Sequence, residues 1–226
     1  MADVMLAANG AAKSYGDLVA LTPVDLSVPR GELVALVGHN GSGKSTLLRL
    51  AAGALELSAG SVEIDGLPAG SPAARAATSF IPDDPVLYDD LSVREHLAYV
   101  AALHGVQATA GELDAIAERL GLLPRADDLP ARFSRGLRQK TSIALGIVRP
   151  FELLLVDEPF VGLDATGKTA LLELLDEFHH DGHTIVVATH DAHFVERATR
   201  CIALRDGEIV HDGGATADDV LRFVGA

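Results

Sequence analysis

The segment from Gly38 to Ser45 contains three glycines, followed directly by a lysine and a serine. Its glycines allow successive backbone N–H groups to curl around phosphate oxygens, and a helix that begins after them adds a favourable dipole. Lys44 supplies a compact cation, and Ser45 offers a hydroxyl to Mg²⁺. The segment therefore predicts a phosphate-binding loop. The residues expected to take part are Gly38, His39, Asn40, Gly41, Ser42, Gly43, Lys44, Ser45 and Thr46.

Two adjacent acids follow a short apolar run, Leu153 to Val156, that predicts a buried strand. A nucleoside triphosphate held by the loop needs a carboxylate for its metal and a group that activates water. We expect Asp157 to hold Mg²⁺ and Glu158 to accept a proton from the attacking water. Alone, such a strand is as often one that simply reaches solvent. Together with the lysine of the loop, the two acids predict hydrolysis.

Short apolar runs alternate with longer helical patterns along the chain, which predicts an α/β sheet of buried and largely parallel strands. Two Asp-Gly pairs lie between strand-like pieces and indicate hairpins, so some antiparallel sheet is expected as well. The predicted strands are Leu33–Val37, Leu153–Val156, Thr184–Ala188 and Cys201–Leu204, the helical pattern covers Thr169–Phe178, and the turns lie at Asp65-Gly66 and Asp206-Gly207.

The middle of the chain, Ser92 to Val148, has a different pattern and predicts helices without a strand. One helix is expected over Val93–Leu103, one over Glu112–Leu120, and one beginning near Ser134. We interpret these helices as an insertion in the α/β core of a single domain. The expected boundaries are a core of residues 1–82 and 150–226 and a helical part of residues 83–149.

Composition excludes several classes of protein. The 226 residues are 48% hydrophobic and 22% charged, which is typical of a folded globular chain and not of a disordered one. The formal net charge of −14 disfavours nucleic acid as a partner, because both would be polyanionic. A single cysteine, Cys201, suits a reducing compartment. Neither a leader peptide nor an apolar run of ~18 residues is apparent, so any membrane contact must come through a partner.

Further motifs resemble the ATP-binding subunit of ABC transporters, from about Leu6 to Val210. The resemblance implies a P-loop NTPase core with a mixed sheet, an antiparallel β part and an inserted helical subdomain. The segments that carry it are Phe133–Leu137 with Arg138–Lys140, similar to the signature motif, Val161–Asp164, similar to the D-loop, and Ala188–Asp191, similar to the switch-histidine segment.

The resemblance also implies how the residues work together. Two subunits would pair head to tail, and each ATP would lie between the lysine loop of one and Ser134 and Gly136 of the other. His190 would contact the γ-phosphate, Asp164 would communicate between the sites, and Tyr15 would stack on adenine. Simpler interpretations stay open, since Ser134 and Asp164 could each cap a helix. The histidine could be an ordinary residue at a strand end, and the tyrosine could serve packing alone.

Two features depart from the family pattern. Asp83 stands where the family usually has a glutamine that touches Mg²⁺ and water, and it would bring a third carboxylate towards Asp157 and Glu158. This acid could ligate Mg²⁺, or its charge could raise a neighbouring pKa or weaken metal-free ATP binding. In the signature, Arg135 and Leu137 replace the common Gly and Gln. The net effect of these changes is left open.

A transmembrane permease is the partner that the resemblance implies, gripped beside Val86–Glu95. Apolar side chains would form the floor of the contact and acids would meet basic loops of the permease. A solvated acidic loop that caps the next helix explains the acids about as well. The expected floor is Leu87, Tyr88 and Leu91, and the expected acids are Asp89 and Asp90.

These observations predict an ATP-binding and ATP-hydrolysing subunit, with ATP and Mg²⁺ as cofactors, that drives transport through a separate transmembrane subunit. Export is expected over import, because the chain ends soon after its last hairpin, as in small ATPase subunits of exporters. We expect it in the cytoplasm, peripheral on the inner face of the cell membrane. The alternative is a soluble ABC ATPase acting on a cytosolic assembly, and a third interpretation is an inactive nucleotide-binding module.

Overall fold

The structure, a computed structural model, describes residues 3–224. Its strands are β1 (Val4–Tyr15), β2 (Leu18–Pro29), β3 (Leu33–Val37), β4 (Ala59–Ile64), β5 (Leu67–Pro68), β6 (Thr78–Ile81), β7 (Leu153–Asp157), β8 (Thr184–Ala188), β9 (Arg200–Arg205) and β10 (Glu208–Gly213). Its α-helices are α1 (Lys44–Ala51), α2 (Pro72–Ala77), α3 (Val93–Leu103), α4 (Ala110–Arg119), α5 (Arg135–Ile147), α6 (Ala165–His180), α7 (Ala192–Val195) and α8 (Ala217–Val224). Short 3₁₀ turns cover Leu123–Arg125 and Pro130–Arg132.

A six-stranded sheet in the order β10-β9-β3-β8-β7-β6 forms the centre of the fold. All neighbouring pairs are parallel except β10 with β9, so the sheet is mixed. Every residue of β3, β7 and β8 is buried, because both faces of the sheet are covered. This explains why these strands are continuous apolar runs, and the predicted strands are confirmed with at most one more residue at either end.

A second, four-stranded antiparallel sheet has the order β2-β1-β4-β5. Its two longest strands, β1 and β2, were not predicted. Bulges interrupt the pairing of β1 with β2 around Gly10. The two predicted hairpin turns are confirmed. Asp65 and Gly66 both have positive φ, as do Asp206 and Gly207, which suits the tight turns that join twisted antiparallel strands.

Helices α3, α4 and α5 lie between β6 and β7 in the chain, and the described residues of this stretch contain no strand, as predicted. Capping sets where they begin. Thr109 and Glu112 form a capping box, so α4 begins at Ala110 and ends at Arg119, where the periodicity had predicted Glu112–Leu120. Asp164 caps α6, which is therefore longer at both ends than the predicted Thr169–Phe178.

The central sheet separates two hydrophobic cores. Alternate residues of β3 point to opposite faces, so that Leu33 and Val37 pack with helices α3 to α6, whereas Val34 and Leu36 pack with α1 and the antiparallel sheet. The predicted α/β class, with a mixed sheet, an antiparallel sheet and inserted helices, is confirmed. Among residues 3–224, no helix has both the length and the apolar character needed to span a bilayer.

Candidate functional site

The phosphate-loop segment connects β3 to α1, at the carboxyl end of the central sheet. It fits closely against its neighbours, since a Cβ on Gly38 would lie 2.3 Å from the Leu204 carbonyl oxygen. The loop is also tied to the β9–β10 turn, where Gly207 N–H donates to the Ser42 carbonyl oxygen at 3.0 Å. Gly43 has a φ of 105° directly before α1, a conformation that favours glycine. These glycines allow the backbone to curl tightly.

Lys44 curls back into this loop. Its ammonium donates to the carbonyl oxygens of Gly38 at 2.7 Å and His39 at 3.3 Å, and its side chain is 6% exposed. The same nitrogen lies 3.6 Å from a carboxylate oxygen of Glu158. The flexible four-carbon stem of lysine allows this ammonium to turn to phosphate oxygens when these enter the loop.

A cavity of about 440 Å³ opens in front of the loop. Its volume lies in the range of small-molecule sites. Another cavity, of about 490 Å³ beside His104 and Arg149, is larger but has neither a phosphate loop nor a carboxylate, so volume alone does not select the site. The loop cavity is lined by Leu18, Val19, Ala20, Asn40, Gly41, Ser42, Gly43, Lys44, Ser45, Thr46, Asp83 and Glu158.

Asp157 ends β7 and is fully buried. Neither of its carboxylate oxygens has a hydrogen-bond partner within residues 3–224. Burial raises the pKa of the Asp157 carboxyl, and the nearby Ser45 hydroxyl lowers it. The charge of Asp83 raises this pKa, and the charges of Arg49 and Lys44 lower it. A buried carboxylate without partners is costly unless a cation pairs with it. Oxygen ligands of this kind suit Mg²⁺, so the residues fit the metal.

Glu158 follows Asp157 and connects the loop to β8. Its backbone N–H donates to the Ala188 carbonyl oxygen at 2.8 Å, and its second carboxylate oxygen lies 3.1 Å from Nδ1 of His190. Burial raises the pKa of Glu158, and the charges of Lys44 and His190 oppose the rise. The carboxylate is thus held between a lysine and a histidine at the edge of the cavity.

The signature segment lies apart from this cavity. Ser134 caps α5 and its hydroxyl accepts from the Leu137 N–H, while Asp164 caps α6 and accepts from the Gly167 N–H. Lys140 joins the two helices through an ion pair of 2.9 Å with Asp164. A separate cavity of about 220 Å³ is lined by Ser134, Gly136, Leu137, Lys140, Gly162 and Asp164. The structure therefore brings the signature and D-loop together but does not place them in the loop cavity.

Tyr15 and His39 lie at the margins of the site. Tyr15 is 51% exposed at the end of β1, it is absent from the cavity lining, and the ammonium of Lys13 lies 5.1 Å from its ring centroid. His39 lies 3.4 Å from Asp206 of the β9–β10 turn and also contacts the Asn40 carbonyl. The adenine role of the tyrosine stays a prediction.

Sequence reasoning missed the wall of the cavity formed by Leu18 and Val19, which are 67% and 53% exposed. Two aliphatic residues only three and four positions after the predicted adenine residue, Tyr15, were a usable signal. It also missed the ion pair that attaches Lys140 of the signature segment to Asp164 of the D-loop. No local pattern indicates that contact.

Comparison with known proteins decides the family. Residues 21–161 match the family model described as ABC transporter. The chain belongs to the ABC transporter family. It is 35% identical over 225 residues to the Macrolide export ATP-binding/permease protein MacB 1 of Aeromonas hydrophila, covering 94% of this chain and 35% of that protein. The chain spans about a third of the length of the curated relatives it matches.

Solved ABC proteins have the same fold. A structure of the ATP binding subunit of an ABC transporter has a TM-score of 0.85 and 33% identity, covering 96% of this chain and 92% of that chain. A dimeric structure of a bacterial ABC transporter cassette has a TM-score of 0.85 and 25% identity, covering 93% of this chain and 98% of that chain. This chain therefore has the fold of an ABC transporter cassette.

Proposed function

We propose that this ABC cassette hydrolyses ATP to drive transport, in the direction of export, through a separate transmembrane subunit. The observation that carries hydrolysis is the buried Asp157 without partners beside the Lys44 loop, with Glu158 at the cavity edge. Export is supported by a relative named for macrolide export that is 35% identical to the chain. The transported substrate is a property of the membrane subunit.

Each residue of the loop cavity has a proposed role in hydrolysis. Lys44 would bind the terminal phosphates, and Ser45, Asp157 and Asp83 would hold Mg²⁺. When bound, Mg²⁺ would supply positive charge that neutralises the phosphates. Glu158 takes a proton from the attacking water, and its raised pKa makes the carboxylate a better base than an exposed glutamate. His190, in contact with Glu158, contacts the γ-phosphate and orients that carboxylate.

The complete site is proposed to need two copies of the chain, head to tail. Ser134, Gly136 and Asp164 lie outside the cavity of their own subunit, so they are available to an ATP held by another. The N-terminus of the 13-residue helix α5 favours an anion there. ATP then holds the pair together, and loss of the γ-phosphate on hydrolysis releases it.

The permease is proposed to dock on the surface around the start and outer face of α3. Val86, Tyr88, Tyr99 and Leu103 are exposed there, and the rings of the two tyrosines pack edge to face at 5.7 Å. We call these four residues the α3 patch. The expected floor is corrected in one respect: Leu87 is buried in the fold and cannot contact a partner, whereas its neighbour Val86 can. Docking at the patch would make the cassette peripheral on the cytoplasmic face.

Hydrolysis is tested with purified chain, with any required permease present. Glu158→Gln should lower the ATPase rate by roughly 100-fold or more, because general-base catalysis contributes about 10²- to 10⁴-fold. ATP binding should persist, because the phosphate loop is unchanged. Glu173→Gln is the matched control, since Glu173 is exposed on α6 and outside the cavity. Equal rates in the two variants would contradict the role of Glu158 as the base.

A further inference from the structure

Asp83 and Arg135, two residues that depart from the family pattern, contact each other. Nη2 of Arg135 lies 3.5 Å from Oδ1 of Asp83, across 52 positions of the chain. Asp83 follows β6 and Arg135 is the first residue of α5. The common glycine at position 135 has no side chain, and the usual glutamine at position 83 has no charge. The ion pair therefore exists only because both changes occur together.

Asp83 contacts Arg135 and also faces the nucleotide site. It lines the loop cavity together with Ser45 and Glu158. It is also close enough to Asp157 for its charge to raise the pKa of that carboxyl. One carboxylate thus lies between a guanidinium on α5 and the place where the metal of a nucleotide would be held. The guanidinium and a bound metal would therefore compete for its negative charge.

Contacts along its stem direct the Arg135 side chain. A Cβ on Gly162 would meet Cγ of Arg135 at 3.3 Å and Cδ at 3.4 Å, so the aliphatic stem lies across the Gly162 loop. The side chain remains 64% exposed beside Ser134, on the surface proposed to meet the second subunit. The residue therefore touches the D-loop and the edge of the loop cavity from its position in the signature segment.

We propose that the Asp83–Arg135 pair is a nucleotide-sensitive link between the loop cavity and the signature surface. Magnesium nucleotide in the cavity attracts Asp83 away from Arg135, which leaves the guanidinium free beside Ser134 to meet a phosphate of the second subunit's nucleotide. Arg135 thus positions Asp83 while the cavity is empty. Once nucleotide fills the cavity, Arg135 is a free cation at the interface with the second subunit. This inference rests on the proposed function of the loop cavity.

A double-mutant cycle tests the link. The readout is the Mg²⁺ concentration that gives half-maximal binding of a fluorescent, non-hydrolysable ATP analogue, mant-AMPPNP, to the full chain at dilutions where it is monomeric. Arg135→Gln should lower this concentration by roughly 1.5- to 5-fold, the range expected for an exposed ion pair. In the Asp83→Asn background the same change should have no effect. Arg135→Lys, which keeps the charge, should stay near the wild-type value.

Arg132→Gln is the matched control. It removes the same charge three residues from Arg135, and Arg132 itself has no ion pair within residues 3–224. An equal shift in Arg132→Gln, or a shift by Arg135→Gln that persists in Asp83→Asn, would overturn the link in favour of general electrostatics. An unshifted Arg135→Gln would overturn it as well. Failure of the wild-type chain to bind the nucleotide would instead overturn the proposed function of the cavity.

Discussion

Glu158 has a backbone conformation that its residue type normally avoids. Its φ is 45°, and the other two non-glycine residues with positive φ among residues 3–224, Asp65 and Asp206, lie in hairpin turns that suit aspartate. The left-handed conformation costs about 1–2 kcal/mol for an ordinary L-residue. Two sets of contacts stabilise this conformation. The Glu158 N–H donates to the Ala188 carbonyl oxygen, and the carboxylate lies between Lys44 and His190. Strain of this kind is typical of functional positions.

Arg200 and Asp212 fasten the β9–β10 hairpin that supports the phosphate loop. Nε and Nη2 of Arg200 donate to the two carboxylate oxygens of Asp212 at 2.5 and 2.7 Å. Hydrogen bonding to Arg200 lowers the pKa of Asp212. A carboxyl whose pKa is lower in the folded state stabilises the fold above its unfolded pKa of ~3.9, and this stabilisation disappears as the pH falls through the folded value.

Asp212→Asn should therefore lower the free energy of unfolding at pH 7 by about 1 kcal/mol or less, because the pair is partly exposed and screened. Urea unfolding between pH 7 and pH 2 measures the difference, which should close below pH ~3.9. Glu208→Gln, an exposed acid of the same hairpin outside any described ion pair, should show no such trend. A deficit for Asp212→Asn that stays constant with pH would contradict the assignment to charge.

Sequence alone predicts where the candidate site residues lie, because each follows a strand that its own apolar run predicts. These residues are the phosphate loop together with Asp157, Glu158 and His190. Parallel strands then bring their carboxyl ends together. The pairing of Asp83 with Arg135 could not be found in this way, because it depends on how α5 packs against the end of β6. Long-range side-chain contacts of this kind leave no local pattern.

At the scale of elements, the start of α5 approaches the D-loop most closely at Gly136, where no side chain separates the two backbones. A Cβ on Gly136 would lie 2.5 Å from the Gly162 carbonyl oxygen, which no real contact allows. This close approach keeps Ser134 and the D-loop on one surface. The ion pair between Lys140 and Asp164 also joins the two segments. Glycine at position 136 therefore determines how close together the N-termini of α5 and α6 lie.

Gly136→Ala should push α5 away from the Gly162 loop and weaken ATP-dependent pairing of subunits by about 10-fold or more, since misplacement by about 1 Å is costly in a preorganised site. Nucleotide binding to a single chain should change little, because Gly136 is outside the loop cavity. Sedimentation equilibrium of the Glu158→Gln chain with ATP measures the pairing. Gly111→Ala, a helical glycine with open space around it, is the control and should pair normally. Equal pairing in both variants would contradict the proposed geometry.

Sequence patterns located the elements unequally. Buried parallel strands such as β3 and β8 were located well, because continuous apolar runs have few other uses in a globular chain. The long strand β1 was missed because bulges interrupt its pairing around Gly10. Strand β2 was missed although Val24, Leu26 and Val28 alternate with polar residues, which was a usable signal. Helix ends shifted by a few residues where a cap such as Thr109 lies outside the periodic pattern.

At the scale of the whole molecule, the nucleotide surface and the α3 patch are distinct. Asp89 and Asp90 are exposed beside the patch, in a chain whose net charge is already −14. Charge reversal of both should weaken association with membranes that contain the permease by about 10-fold, while ATPase activity of the free chain stays near wild type. Co-sedimentation with such membranes measures the association. Reversal of Glu173 and Asp181, exposed acids away from the patch, should not weaken it.

Equal loss of membrane association and ATPase activity in the Asp89 and Asp90 variant would count against docking at the α3 patch. Recovery of the wild-type chain only with a cytosolic assembly would favour the alternative of a soluble ABC ATPase. The two results differ, because the first concerns one surface and the second concerns the partner itself.

The central claim is that one chain holds half of each ATP site. Light scattering of the purified Glu158→Gln chain with ATP and Mg²⁺ tests it most directly, because this variant should bind ATP without hydrolysing it. We predict a molar mass that rises from the 23.6 kDa of one chain to twice that value with ATP, and no rise with ADP. Saturation with ATP at the mass of a single chain would contradict the account.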